Sequence, residues 1–342
     1  MVSPMKKVFS EQDLLGWIKQ QLPTPKSLIL GIGDDAAVLR GSPSVVCADM
    51  MVEEQDFSLT WATPQDVGHK AAAVNLSDIA AMGATPRGLL LSLAVPAYTA
   101  RRSIEQVILA THRCGVKYGA PLVGGDLSRI DGPWCVAVTA LGEIQPKYIL
   151  RRHQAKVNDL IWVSGTVGNA ALGLHLLQRH IAGGDIYKKA QLRPVPQILL
   201  GKLLGASGLA RSAADVSDGL LNDALHLPAK NHSIELDAAR LPLAPRFKAW
   251  CKRCGEDPLG LAFFGGEDFQ LVFAAAPANT AKILRLAKQV GVALTPIGRI
   301  IRGNKPRILG WQSTGRYRRF DHYSSIPYRF PIIQPCKGSL FG

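Results

Sequence analysis

The chain is poor in cysteine and aromatics: 6 Cys, and 7% Phe, Trp and Tyr, in 342 residues. The cysteines are Cys47, Cys114, Cys135, Cys251, Cys254 and Cys336. With no signal peptide ahead of them, they argue against a disulfide framework and for a reducing, cytoplasmic setting. The lone C-x-x-C, Cys251 to Cys254, has no second pair to complete a zinc site. It also follows a helix-like run rather than a strand, which speaks against a thioredoxin-type redox motif. No apolar run is long enough to span a membrane. There is no G-x-x-x-x-G-K-[ST], so P-loop nucleotide binding is excluded.

Negative charge is scarce too. Asp+Glu number 26 against 40 Lys+Arg, a formal net charge of +14. Such a balance attracts polyanions, although the one dense basic cluster, Arg316-Tyr317-Arg318-Arg319, reads as a solvated face rather than a nucleic-acid arm. The few acids are gathered. Asp34, Asp35, Asp49, Glu53, Glu54, Asp56, Asp78, Asp126, Asp215, Asp218, Glu267 and Asp268 all lie in short segments beside Gly, Ser or strand-like runs. Adjacent carboxylates repel, and a divalent cation between them relieves that repulsion. Carboxylates concentrated inside a basic protein suit a metal-phosphate ligand better than bare nucleic acid.

At this length two domains are expected, with a boundary at 150: residues 1–150 and residues 151–342. Gly31-Ile32-Gly33-Asp34-Asp35 lies between an apolar run and Ala36-Ala37-Val38-Leu39, with glycines that let the backbone approach a ligand closely. Residues 44–52 read as a buried strand holding Asp49, a costly placement unless that carboxylate is paired or metal-bound. Thr63-Pro64-Gln65-Asp66 opens a helix. It runs to Gly83 with an Ala-rich face and with Asn75 and Asp78 as i,i+3 neighbours. Strands are expected at 88–95, at 120–126 (ending in Gly124-Gly125-Asp126) and at 134–142, with a helix over 100–118. In the second half, the Gly-rich turn Val167-Gly168-Asn169 is a candidate phosphate cradle at a helix N-terminus. Asp215-Val216-Ser217-Asp218-Gly219 precedes a helix over 220–227, and in an extended segment Asp215 and Ser217 share a face. Gly265-Gly266-Glu267-Asp268 is the last acidic island, and a further helix is expected over 278–290.

Taken in order, these islands resemble the thiamine-monophosphate kinase family of the aminoimidazole-ribonucleotide-synthetase-like (PurM-like) superfamily. The carrying motifs are Gly31-Ile-Gly-Asp-Asp35, Asn75-Leu-Ser-Asp-Ile-Ala-Ala-Met-Gly83, Gly124-Gly-Asp126, Asp215-Val-Ser-Asp-Gly219 and Gly265-Gly-Glu-Asp268. The resemblance implies a two-domain α/β (α+β) PurM-like fold, with an N-terminal mixed-sheet domain and a C-terminal α/β domain, and a homodimer built on N-terminal strands. It implies ATP-dependent phosphorylation of a phosphate monoester, with several Mg²⁺ and no general base, because the acceptor oxygen is already anionic. By motif, Asp35, Asp49, Asp78, Asp126, Asp215 and Asp218 would hold Mg²⁺. Gly125, Asp126, Arg152 and Ser217 would contact ATP, Arg152 by a bidentate grip on phosphate. Asp56, Glu267 and Tyr317 would face the acceptor. Three departures stand out. Cys47-Ala48 replaces a Ser/Thr-Thr pair, Asp56 stands where the family has His, and Tyr317 stands where it has Trp. The alternatives are a related ATP-using enzyme with another phosphate-containing acceptor, and a non-catalytic polyanion- or RNA-binding paralogue, which would show steep salt dependence.

Overall fold

The computed structural model describes residues 28–30, 34, 36–39 and 44–311. Asp35, Tyr317 and the basic C-terminal cluster lie outside the described residues.

Among the described residues, two six-stranded sheets organise the fold. The first takes strands β1 (Leu28–Leu30), β2 (Ala37–Leu39), β3 (Ser44–Val52), β4 (Thr85–Val95), β5 (Leu122–Arg129) and β6 (Cys135–Glu143), in the order β1-β2-β3-β6-β4-β5. It is mixed: β4 runs parallel to β5 and antiparallel to β6. The second takes β7 (Leu160–Ser164), β8 (Ser212–Asp215), β9 (His232–Asp237), β10 (Leu271–Ala275), β11 (Leu294–Arg302) and β12 (Arg307–Leu309), in the order β12-β9-β11-β7-β10-β8.

Among the described residues, two helices, α1 (Pro64–Ala81) and α2 (Arg101–Lys117), accompany the first sheet. Helices α3 (Asn169–Gln178), α4 (Asp185–Leu192), α5 (Ile198–Ser207), α6 (Leu220–Ala224), α7 (Phe247–Cys254), α8 (Pro258–Phe264) and α9 (Thr280–Val290) accompany the second.

Helix α1 places the site. Thr63 caps it, its hydroxyl accepting from the Asp66 N–H while the Asp66 carboxylate accepts from the Thr63 N–H, and Pro64 takes the first turn, where its missing donor is not needed. The helix is buried on nearly every side, as its small residues allow. Ala71, Ala72, Ala73, Leu76, Ile79 and Ala80 are at most 1% exposed. Full burial of Leu76 or Ile79 contributes about 1.5–3 kcal/mol each. Within the helix, Val67, Ala71, Ala72, Ala73, Leu76 and Ile79 belong to the core of the first sheet. Ala80 and Ala81, at its C-terminal end, instead join Trp162, Leu204, Leu271 and Phe273 of the second half in one apolar cluster. Close approach makes this possible, since a Cβ on Gly201 of α5 would sit 2.0 Å from the Ala80 carbonyl oxygen.

Some elements depart from expectation. Strand β5 does not stop at Gly-Gly-Asp but continues to Arg129, because its parallel pairing with β4 runs on from Ser92–Asp126 to Val95–Arg129. Strand β4 starts at Thr85 and absorbs Pro86 at a register shift against β6. The helix after Asp218 is a single short segment, 220–224.

Candidate active site

One of the hydrogen bonds that join the two halves is buried at the site. The Ser77 hydroxyl, on α1, donates to Asp215 Oδ2 at the end of β8, at 2.6 Å. Asp215 is 2% exposed and Ser77 wholly buried. An isolated carboxylate in such a place is costly. Asp78, the next residue of α1, is half-buried.

Strand β3 is tied to the same helix by Asn75. Its amide oxygen accepts from the Asp49 N–H at 3.0 Å, its amide nitrogen donates to the Ala71 carbonyl, and its own carbonyl accepts from the Cys47 thiol at 3.3 Å. Thus Cys47, which stands where a hydroxyl was expected, takes up a backbone contact. Burial, with the Asp78 and Asp49 carboxylates nearby, pushes its thiol well above the usual range. By the two-residue period, Asp49 shares a face with buried Val45, Cys47 and Met51, yet it is exposed. The expectation of a buried Asp49 is thereby corrected: the inner face opens at this point, and the carboxylate stands in the opening.

Register carries the line across the sheet from Asp49 through Val138 and Leu91 to Gly125. Asp126 is exposed one step further along β5, opposite Ser92.

Two acidic islands about fifty residues apart in sequence form one substructure. The Glu267 and Phe269 N–H groups donate to the carbonyls of Ser217 and Val216, and the Val216 N–H donates to Gln270. A Cβ on Gly266 would lie 2.2 Å from the Ser217 carbonyl oxygen, so only glycine admits this approach. Glu267 and Phe269 both hold positive φ, 66° and 47°, a strained backbone of the kind that gathers at functional sites.

Asp218, half-buried, donates its N–H to the Asp223 carboxylate. Burial, with Asp218 and Asp215 beside it, holds Asp223 well above the usual carboxylate range, and the Arg152 charge opposes this. Arg152 also donates its N–H to Asp34 Oδ2 at 3.1 Å. The structure therefore brings Asp34, Arg152, Asp215, Asp218 and Asp223 to one place. Asp223 and Lys70 carried no motif signal that sequence reasoning used, and Ser77 lay inside the Asn75–Gly83 motif without being assigned a role. Among the described residues no three His, Cys, Asp or Glu side chains form a ready-made metal cage. The donors at hand are hard carboxylate oxygens, and carboxylates held against burial and one another are the set a magnesium ion satisfies.

The acceptor candidates gather next door. Lys70, 3% exposed, places its ammonium 2.5 Å from Glu267 Oε1 and 3.2 Å from the Asp56 carbonyl. Gln191 of α4 donates to the other Glu267 oxygen. Asp56 reaches the Lys70–Glu267 pair through its main-chain carbonyl, while its carboxylate closes a turn by accepting from the Val52 N–H at 2.7 Å.

The Gly-rich turn before α3 is not a phosphate cradle. The Asp268 carboxylate fills it, accepting from the Gly168 and Ala170 N–H groups. Burial raises the Asp268 pKa to about 7. Because this folded value exceeds the ordinary carboxylate value, the folded chain holds the proton that the unfolded chain gives up. Stability attributable to Asp268 is therefore full below about pH 4 and falls as pH rises toward about 7. The stability gap between wild type and Asp268→Asn is expected to shift in favour of the variant by roughly 2 kcal/mol between pH 5 and pH 8. Urea melts at both pH values measure this, and a constant gap would refute it. The C-x-x-C lies in α7, where burial pushes the Cys251 thiol up to about 12, an inert structural thiol.

Comparison with known proteins gives a consistent result. The family description "AIR synthase related protein, N-terminal domain" matches residues 33–144, and the corresponding C-terminal domain matches residues 156–310. Thiamine-monophosphate kinase of Rhodopirellula baltica is 34% identical over 302 residues, 85% of this chain and 89% of that protein. The Bacillus subtilis enzyme of the same name is 33% identical over 317 residues, 87% and 94%. Among solved structures, AaThiL complexed with AMPPCP and TMP superposes with a TM-score of 0.80 at 28% identity, covering 94% of this chain and all of that one.

Proposed function

The chain belongs to the thiamine-monophosphate kinase family and is built on its two AIR-synthase-related domains, and from that premise we propose that it transfers the γ-phosphoryl group of ATP to thiamine monophosphate, giving thiamine diphosphate and ADP. The observation that carries this reading is the Ser77–Asp215 junction. It brings carboxylates of both halves together beside a separate pocket formed by Lys70, Gln191 and Glu267. Two polyanions must meet for this reaction, and the chemistry needs charge neutralisation and alignment rather than a base.

In this reading Asp35, Asp49, Asp78, Asp126, Asp215 and Asp218 hold magnesium, which supplies charge neutralisation of the phosphates for an in-line transfer. Arg152 and Ser217, with the Gly125 backbone, bind the nucleotide. Arg152 is tied at its main-chain N–H to Asp34, and a guanidinium is suited to grip phosphate bidentately. Glu267, joined through Lys70 to the Asp56 carbonyl, receives the acceptor's heterocycle, and the family motif adds Tyr317, outside the described residues, as a further acceptor residue. The partly exposed Glu267 carboxylate suits the cationic heterocycle of the acceptor. We place the domain boundary at 150, between the two sheets. We also read the edge strand β5, with Val123 and Leu127 exposed, as part of a homodimer contact, which light scattering of the full chain would test by giving twice the chain mass.

The direct test is ADP release with Mg-ATP and thiamine monophosphate, with chromatography for thiamine diphosphate. Metal-dependent product supports the reading. ATP binding without product would direct the search to other phosphate monoesters, and absence of ATP binding would overturn the assignment. No helix among the described residues is long and apolar enough to cross a membrane.

A further inference from the structure

Gln191 sits at the end of α4 and is 1% exposed. Its end of α4 is tied to α1. Two residues on, Arg193 Nε bonds Asp66 Oδ1 at 2.6 Å, clamping the end of α4 to the first turn of α1. The Gln191 amide is oriented by charge. Its Nε2 donates to Glu267 Oε2 at 2.5 Å, and the reverse orientation would set an amide oxygen against a carboxylate. The amide oxygen is therefore turned away from Glu267. Among the described residues it has no hydrogen-bond partner, although it is buried. A buried acceptor left unmet costs about 1–3 kcal/mol, and native proteins rarely retain one without a reason.

Beside it, Lys70 and Gln191 hold the two Glu267 oxygens, one each. Each carboxylate oxygen keeps a lone pair for one more donor. The Glu267 side chain is 31% exposed, so this cluster opens to solvent at the carboxylate. Lys70 and the Gln191 amide nitrogen each keep an N–H as well, but the one atom of the cluster left without any partner among the described residues is an acceptor, the Gln191 amide oxygen. The group that complements that atom is an N–H donor.

We propose that Gln191 is a specificity-determining residue for the acceptor. It fixes the Glu267 carboxylate from one side, as Lys70 does from the other, and its amide oxygen receives an amino group on the acceptor's nitrogen heterocycle. This rests on the reading of Glu267 as an acceptor residue. Thiamine monophosphate carries such a group, the amino substituent of its pyrimidine ring. An analogue with a carbonyl oxygen at that position sets an acceptor against acceptors, and a site built to bond a donor discriminates strongly against its absence.

The test compares kcat/KM for thiamine monophosphate and for its 4-oxo pyrimidine analogue, with Mg-ATP, in the full chain and in Gln191→Met. The wild type is expected to prefer the amino compound roughly tenfold or more. In Gln191→Met the preference is expected to fall below about threefold, with the KM for ATP within about twofold of wild type. A purely structural role would lower both rates together and leave their ratio unchanged, and that result overturns the proposal. So does a wild type without preference, which needs no variant at all. If Gln191→Met does not fold, Gln191→Asn, which withdraws the amide by one methylene, is expected to show the same loss of preference, and an intact preference there also overturns it. A wild type that phosphorylates neither compound sinks the acceptor reading itself, a failure distinct from activity on both compounds at equal rates.

Discussion

Asp215→Asn is expected to lower kcat for ADP formation by about a thousandfold while the protein stays folded. The substitution keeps size and shape, and an amide oxygen still accepts from the Ser77 hydroxyl that bonds Asp215 at 2.6 Å. What is lost is the charge at the junction of the two halves. A carboxylate that organises metal and phosphate supplies several kcal/mol of charge stabilisation, and about 4 kcal/mol corresponds to three decades in rate. Neighbouring Asp223, which burial and the Asp218 and Asp215 carboxylates hold above its usual range, feels one negative charge fewer. Steady-state rates at saturating Mg²⁺, with melting curves as the folding control, decide the matter. Near-wild-type turnover would remove Asp215 from the reaction and leave the junction purely structural.

Gly125→Ala is the second large effect, and it acts on the fold. Gly125 holds φ +149°, and a Cβ there would lie 1.8 Å from the Leu91 carbonyl oxygen, 2.7 Å from its carbonyl carbon and 2.9 Å from its nitrogen. All three are backbone atoms of β4, which is held on its other side by β6. No side chain can swing aside, so β5 must leave the sheet. A cost above about 4 kcal/mol is expected, a large part of a typical total of roughly 5–15 kcal/mol. The melting temperature should fall by about 10 °C or more, and nucleotide affinity should fall with it. Gly119→Ala is the control. Gly119 also has positive φ, +80°, but nothing lies within 4 Å of its missing Cβ, so about 1 kcal/mol is expected. Equal melting of the two variants would show that conformation rather than close approach sets the cost.

The acidic islands were visible because a basic chain concentrates its carboxylates beside glycines. Their order alone led to the family that the comparisons support. The helix start at Thr63 was visible because capping chemistry is local. The Gly168 turn misled because a glycine-rich helix start looks the same whether phosphate or a distant carboxylate fills it, and Asp268 lies about a hundred residues away. Asp49 misled in the opposite sense, since period two places it on the inner face but cannot show that the face opens there.

What the sequence determined by itself is the chemistry that depends on residue type and short spacing: the clustered carboxylates, the caps, the strand and helix periods, and the absence of P-loop and zinc patterns. Only the tertiary structure decided which islands touch. Lys70, Gln191 and Glu267 come from two helices and a loop up to 197 positions apart, and the Ser77–Asp215 bond spans 138. Neither contact leaves a local pattern, because a buried lysine or glutamine in a helix looks like any surface one until its partner arrives from another element. Packing of small residues along α1 brings those partners close, and burial then makes each bond worth keeping.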